Sequence, residues 1–207
     1  MRVRIIVLFV LAGLVPCLAA LFGVVKFYEV HAVELRTAEI QNQCTILSNQ
    51  LSNYGYLTDT SSEVINANLA QLTNIYNGRV MIIDYELNVI KDTYSLDEGK
   101  TDVSENVIRC MQGETTNQYD RKNHYIEVTS PIPGAEGDDV AGVMLATVST
   151  DNIEATIQML YTHGGVVVGI ILILLTALGV FIADRMVRPI HRITGAIENV
   201  TEGYSDD

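Results

Sequence analysis

The sequence predicts an α+β domain with an antiparallel sheet, held between two membrane-spanning helices. Three observations predict it. Two uncharged apolar runs, 5–25 and 164–183, stand near the ends of the chain, and each is about 20 residues long, enough for a helix to cross a hydrocarbon core of roughly 30 Å. Between them, heptad-spaced apolar residues give way to short apolar runs separated by turn residues, the pattern of helices followed by strands. One run, 140–148 (VAGVMLATV), is apolar on both faces, as a central strand is.

The first apolar run follows Arg2 and Arg4, so a cleaved signal peptide is its rival. Its length exceeds the roughly 7–15 residues of a signal-peptide core, and the expectation is an uncleaved span. A lipoprotein reading through Leu14-Val15-Pro16-Cys17 meets Pro16 where a small residue is wanted. Inside a membrane helix Pro16 is tolerable, because neighbouring groups satisfy the freed carbonyl. The second run shows only Thr176 among apolar and small residues, without the polar stripe of a soluble helix. Its segment Gly165-Val166-Val167-Val168-Gly169 is a small-x-x-x-small pattern, which lets helices approach closely. Arg2 and Arg4 precede the first run, and Arg185, Arg188 and Arg192 follow the second. Both termini are therefore expected in the cytoplasm and the middle outside. The expected organisation is a cytoplasmic start at 1–4, spans at 5–25 and 164–183, an external domain at 26–163 and a cytoplasmic segment at 184–207.

The external segment holds twenty Asp and Glu against eight Lys and Arg, and the ends balance, so it carries the whole net charge of -12. Such a surface is a poor partner for nucleic acid or anionic lipid. Of three cysteines, Cys17 lies in the first run and Cys44 and Cys110 lie outside. There a disulfide is chemically allowed, but nothing in the sequence pairs the two, and buried free thiols fit equally. No C-x-x-C is present, so no zinc or redox motif is implied.

The elements follow in order. In 26–54 a seam of Val30, Val33, Thr37, Ile40, Cys44, Leu47, Leu51 and Tyr54 continues the first helix; it suits a parallel partner helix, or packing on the chain's own domain. Residues 53–62 break the helix around Gly55. Ser61 or Ser62 caps a second helix over 63–76, closed by Asn77-Gly78. Residues 79–84 (RVMIID) and 89–93 read as strands about a turn at 85–88, and 95–102 as a polar loop. Ser104 caps a short helix to Met111 that Gly113 closes. Residues 115–121 and 124–132 form a hairpin about Lys122-Asn123, and 133–139 an acidic loop. Asp151-Asn152-Ile153-Glu154 is a capping box, starting the helix that enters the second span.

Two stretches, 80–91 (VMIIDYELNVIK) and 125–147 (YIEVTSPIPGAEGDDVAGVMLAT), resemble the extracytoplasmic PAS-like (Cache) sensor domains of bacterial receptors, over most of 63–149. The usual turn glycine is replaced by Asn88, which also accepts a left-handed conformation. Residues 184–207 (DRMVRPIHRITGAIENVTEGYSDD) look like the first helix of a HAMP domain, with Arg188-Pro189-Ile190, Gly203 and a seam through Met186, Ile190, Ile193, Ile197 and Val200. Pro189 near a helix start is expected to break the rigid join to the span, and Pro189, Ile190, Ile193, Ile197 and Gly203 are the relay candidates. A second HAMP helix is absent, so a piece of a longer receptor is expected. By the resemblance, a small ligand sits over the sheet, and Tyr85, Lys91, Arg121, Tyr125 and Ser130 are the residues placed to line its pocket.

Catalysis finds no support in the motifs. Glu34-Leu35-Arg36-Thr37 is similar to a histidine-kinase H-box, but Val33 stands where the histidine would be. The external part holds His124 as the one histidine outside its flanking helices, and no G-x-S-x-G, H-E-x-x-H or P-loop exists. The resemblance implies the sensing part of a two-component sensor histidine kinase, a homodimer in membrane lipid. It would respond to a small-molecule or protein stimulus and signal to a response regulator. No cofactor is expected in this chain; ATP and Mg belong to a kinase part outside it. The alternatives are a chemoreceptor, which is not an enzyme, a cyclic-dinucleotide enzyme, or a tethered external binding protein.

Overall fold

The computed structural model describes residues 2–134 and 139–202, the side chains at 2, 3, 5, 183, 184 and 186–202 excepted. Nine elements follow one another: α1 (Arg2–Asn53), α2 (Glu63–Tyr76), β1 (Gly78–Asp84), β2 (Val89–Asp92), α3 (Glu105–Met111), β3 (Asn117–Asp120), β4 (Tyr125–Pro133), β5 (Val140–Ser149) and α4 (Asp151–Glu202). The chain divides into two compact units, one of residues 29–156 and one of residues 1–28 with 157–207.

In the first unit, a five-stranded antiparallel sheet runs in the order β2-β1-β5-β4-β3. β5 lies at its centre, as its two-sided apolar pattern requires. Alternation then sorts the strand side chains onto two faces. Val80, Ile82, Ile126, Val128, Ile132, Met144, Ala146 and Val148 meet Ile40, Cys44, Leu47 and Leu51 of α1 and Ile65, Leu69 and Leu72 of α2. On the opposite face Met81, Ile83, Val143 and Leu145 pack with Val107 and Cys110 of α3. The layers are therefore two helices, a sheet, and one short helix.

Local chemistry sets the boundaries. Ser62 caps α2 by accepting the Ile65 N–H, and Asn77 ends it in the left-handed region at φ 48°. Gly78 and Gly142 are needed for close approach: a Cβ added to them would lie 2.6 Å from Thr147 O and 2.5 Å from Ile83 O.

Three readings from sequence are corrected, and of the two packings open to the α1 seam one is observed. In the β1–β2 turn the left-handed residue is Leu87, φ 67°, and not Asn88. Asn88 instead donates its backbone N–H to Asp84 Oδ1 at 2.8 Å, while Leu87 packs on the α3-side core. The capping box is not formed: α4 begins at Asp151, the Thr150 carbonyl accepts the Ile153 and Glu154 N–H groups, the Thr150 hydroxyl has no hydrogen-bond partner among the described residues, and Thr150 alone joins β5 to α4. The α1 seam is spent on the domain's own sheet from Ile40 to Leu51, while Val30 and Tyr54 are exposed. Finally, α4 keeps helical backbone through Pro189, where a break was expected; a proline removes one donor, and a long helix can absorb that loss.

The second unit is an antiparallel helix pair. Leu175 fills the place a Cβ on Gly13 would take, Leu21 does so at Gly164, and Phe9 and Ile6 adjoin Gly179. Gly165 and Gly169 have no neighbour within 4 Å at the same point. Both helices are long and apolar enough to cross a membrane.

Candidate functional site

The five ligand candidates do not converge. Tyr85 is exposed in the β1–β2 turn. Lys91 on edge strand β2 pairs with Glu98 at 3.0 Å. Ser130 is buried and shares a cross-sheet row with Lys91, through Ile82 and Met144, so both belong to the α1–α2 face. Tyr125 has the opposite parity in β4 and belongs to the α3 face. Arg121 lies in the β3–β4 turn, at the far edge of the sheet from Lys91. Lys91 and Ser130 line separate hollows, of about 320 and 310 Å³. Of the relay candidates, Pro189, Ile190, Ile193 and Ile197 fall in α4 where side chains are not described, and Gly203 lies outside the described residues.

Two polar constructions were not legible in the sequence. The first surrounds Asp92, whose side chain is fully buried. It accepts two bonds from Arg79, at 2.9 and 2.6 Å, and the N–H groups of Tyr94, Leu96 and Asp97 at 3.0, 2.7 and 3.0 Å. Arg79 also meets Asp97, which pairs with Lys100 at 2.6 Å. Burial works to raise the Asp92 carboxyl, but the guanidinium and the three amides outweigh it and hold the group well below the usual carboxylate range. The same carboxylates hold Arg79 above its ordinary range. Asp92 thus closes the 93–97 loop onto the sheet edge.

The second lies where α1 and α4 adjoin the sheet. The turn between β3 and β4 is built by Asp120, whose carboxylate accepts the backbone N–H of Lys122 and of Asn123, with His124 left-handed at φ 57°. This turn touches both long helices. Arg121 Nε meets Glu29 of α1 at 2.9 Å, and His124 meets Glu154 of α4. The His124 carbonyl also accepts the Thr150 N–H at 2.8 Å. The arrangement is a clasp: one four-residue turn holds the first described turn of α1 in this unit and the start of α4.

Cys44 and Cys110 are buried free thiols on opposite faces of the sheet, and burial pushes the Cys44 thiol up to about 12. Among the described residues no group of three or more His, Cys, Asp and Glu is placed to hold a metal ion.

No protein-family model matches this sequence, and no curated protein does. Solved structures do match by fold. The chain is similar to the sensor domain of the histidine kinase DctB from V. cholerae, with a TM-score of 0.53 and 15% identity, over 68% of this chain and 57% of that one. It is also similar to an extracellular ligand binding receptor from Desulfohalobium retbaense, with a TM-score of 0.49 and 16% identity, over 65% of this chain and 26% of that one. A third is the E. coli DcuS sensor domain, with a TM-score of 0.46 and 12% identity, over 60% of this chain and 98% of that one. The chain thus spans little more than half of the DctB structure and about a quarter of the Desulfohalobium receptor. Residues 29–156 share the fold of that DctB domain, a long N-terminal helix packed on an antiparallel sheet.

Proposed function

We propose that this chain is the sensing and transmembrane-relay part of a bacterial receptor, with 5–25 and 164–183 as spans, 26–163 outside the cell and both termini in the cytoplasm. One observation carries the reading: a sensor fold whose first and last elements are single 52-residue helices, each continuous with an apolar run. A stimulus that favours one arrangement of the domain over another moves α4 by its differential affinity for the two. The finer reading is a sensor histidine kinase, with a HAMP domain beginning at 184–207 and a response regulator as its partner.

The receptor works as a homodimer in this reading, and a charge pattern supports it. Residues 40–58 and 64–78, covering the last part of α1 and nearly all of α2, contain no charged side chain in a domain that otherwise carries the net charge of -12. Ile46, Val64 and Ile75 are exposed on these stretches. Two acidic domains repel wherever charge faces charge, and this face lets them meet without it.

The test uses the full-length parent protein in lipid nanodiscs. Autophosphorylation from ATP, changed by occupancy of the external domain, is the expected result. A periplasmic or extracellular carboxyl terminus in a fusion reporter would remove the receptor reading altogether. A parent with a long heptad rod and no ATP-dependent labelling would make the output that of a chemoreceptor.

A further inference from the structure

The hollow of about 320 Å³ between α2 and edge strand β2 is lined by Asn66, Leu69, Thr73, Asn74, Lys91 and Thr93, among others. The threonine is the unusual member. In the described helices Thr37, Thr45, Thr156, Thr162 and Thr176 each donate the hydroxyl to the carbonyl four residues back, at 2.7–2.9 Å. Thr73 does not, and its buried oxygen has no hydrogen-bond partner. A buried hydroxyl left unpaired is destabilising, so an isolated helix face gives no reason for this choice. A guest in the hollow that bonds to Thr73 supplies one.

The walls define the guest. Asp92 has its oxygens filled by Arg79 and three backbone amides. Lys91 is neutralised by Glu98 at 3.0 Å. Asn66 is spent, accepting from Tyr56 Oη at 2.6 Å and donating to Thr60 O at 3.1 Å. Thr93 Oγ1 accepts the Val80 N–H at 3.0 Å and keeps its own proton to donate. With Thr73, Asn74 and Ser95, the groups left to a guest are three hydroxyls and an amide over an apolar floor at the buried Leu69. Each fixed charge at the rim already has its counter-charge. An anion would have to displace Glu98, and a cation would meet Lys91.

We propose that the hollow between α2 and β2, built around the unpartnered Thr73 hydroxyl, binds a small uncharged polyhydroxylated molecule such as a polyol or monosaccharide. This deepens the sensor reading and rests on it for what occupancy means to the cell, though not for whether the guest binds.

Polyols stabilise many proteins simply by exclusion from their surfaces, so the readout is saturable heat on titration and not a melting shift. The full chain in detergent micelles is titrated with sorbitol, mannitol, glucose and galactose, and with succinate and L-serine as charged probes. At least one neutral probe should saturate in or below the millimolar range, the scale of weak specific binding. Thr73→Val should weaken it about fivefold to tenfold, the worth of one hydrogen bond, without lowering the melting temperature. Ala70→Phe, which fills the mouth from an exposed position, should abolish it. No saturating neutral probe, or equal affinity of wild type and Thr73→Val, overturns the site. Saturation by succinate or L-serine alone overturns the ligand class. Saturable binding that leaves spin-label distances across α4 unchanged would keep the site and remove the sensor reading.

Discussion

Asp92 and Arg79 form the residue-scale feature with the largest stake in stability. Arg79→Ala leaves a fully buried carboxylate without its cation, a loss of about 3–5 kcal/mol, read as a lowered midpoint in urea. Because the folded-state pKa of Asp92 is depressed, its contribution is present above the unfolded value of about 3.9 and lost as pH falls below it. Acid titration should therefore destabilise the wild type below about pH 4, and Asp92→Asn should flatten that part of the profile. Gly142→Ala places a methyl against Ile83 O and should cost about 1–3 kcal/mol by overpacking. Cys44 and Cys110, buried and protonated, should resist maleimide in the folded chain and react on unfolding; labelling of either in the native state contradicts the burial described.

At the scale of elements, the clasp is weak in energy and specific in place. Arg121 is 66% exposed, so Arg121→Ala should cost less than about 1 kcal/mol overall. Hydrogen exchange should nevertheless rise in α1 around Glu29 and in the β3–β4 turn, and not in β1 or β5. The α1 seam marks where sequence reading stops. Its heptads located the helix correctly, but an apolar stripe is equally satisfied by a sheet or by a second helix, and only the fold assigns Ile40, Cys44, Leu47 and Leu51 to the sheet. A cysteine at Ile40 should therefore fail to crosslink two copies, while Asn42 and Ile46, both exposed, should crosslink if the uncharged face pairs. The bounds of α2 were legible because Ser62 and Asn77 act on neighbours a few residues away. The Arg79–Asp92 and Arg121–Glu29 pairs were not, because 13 and 92 residues separate their members and neither spacing is a motif.

Across the whole molecule, order of elements and sheet centre follow from periodicity, whereas the site does not. The candidates Tyr125 and Ser130 were drawn from positions of one strand that face opposite sides of the sheet, and a strand's parity is invisible until its neighbours are known. In the helix-pair unit, Gly13 and Gly164 are occupied by partner leucines while Gly165 and Gly169 stay open. Gly165→Leu with Gly169→Leu should thus leave the pair within one chain intact. If that open face joins two copies, the double change should lower detergent-resistant dimer on sedimentation, where Val166→Leu would not.

Thr150 is the single residue joining β5 to α4, so it sets where the helical repeat of α4 begins. A helix advances about 1.5 Å and turns about 100° per residue. One residue inserted after Thr150 would swing every downstream side chain by that angle, whereas seven would bring them back to within about 20° of their bearing. If the chain relays a signal as proposed, output plotted against insert length should rise and fall with the helical repeat, as a crank's throw does with its turning.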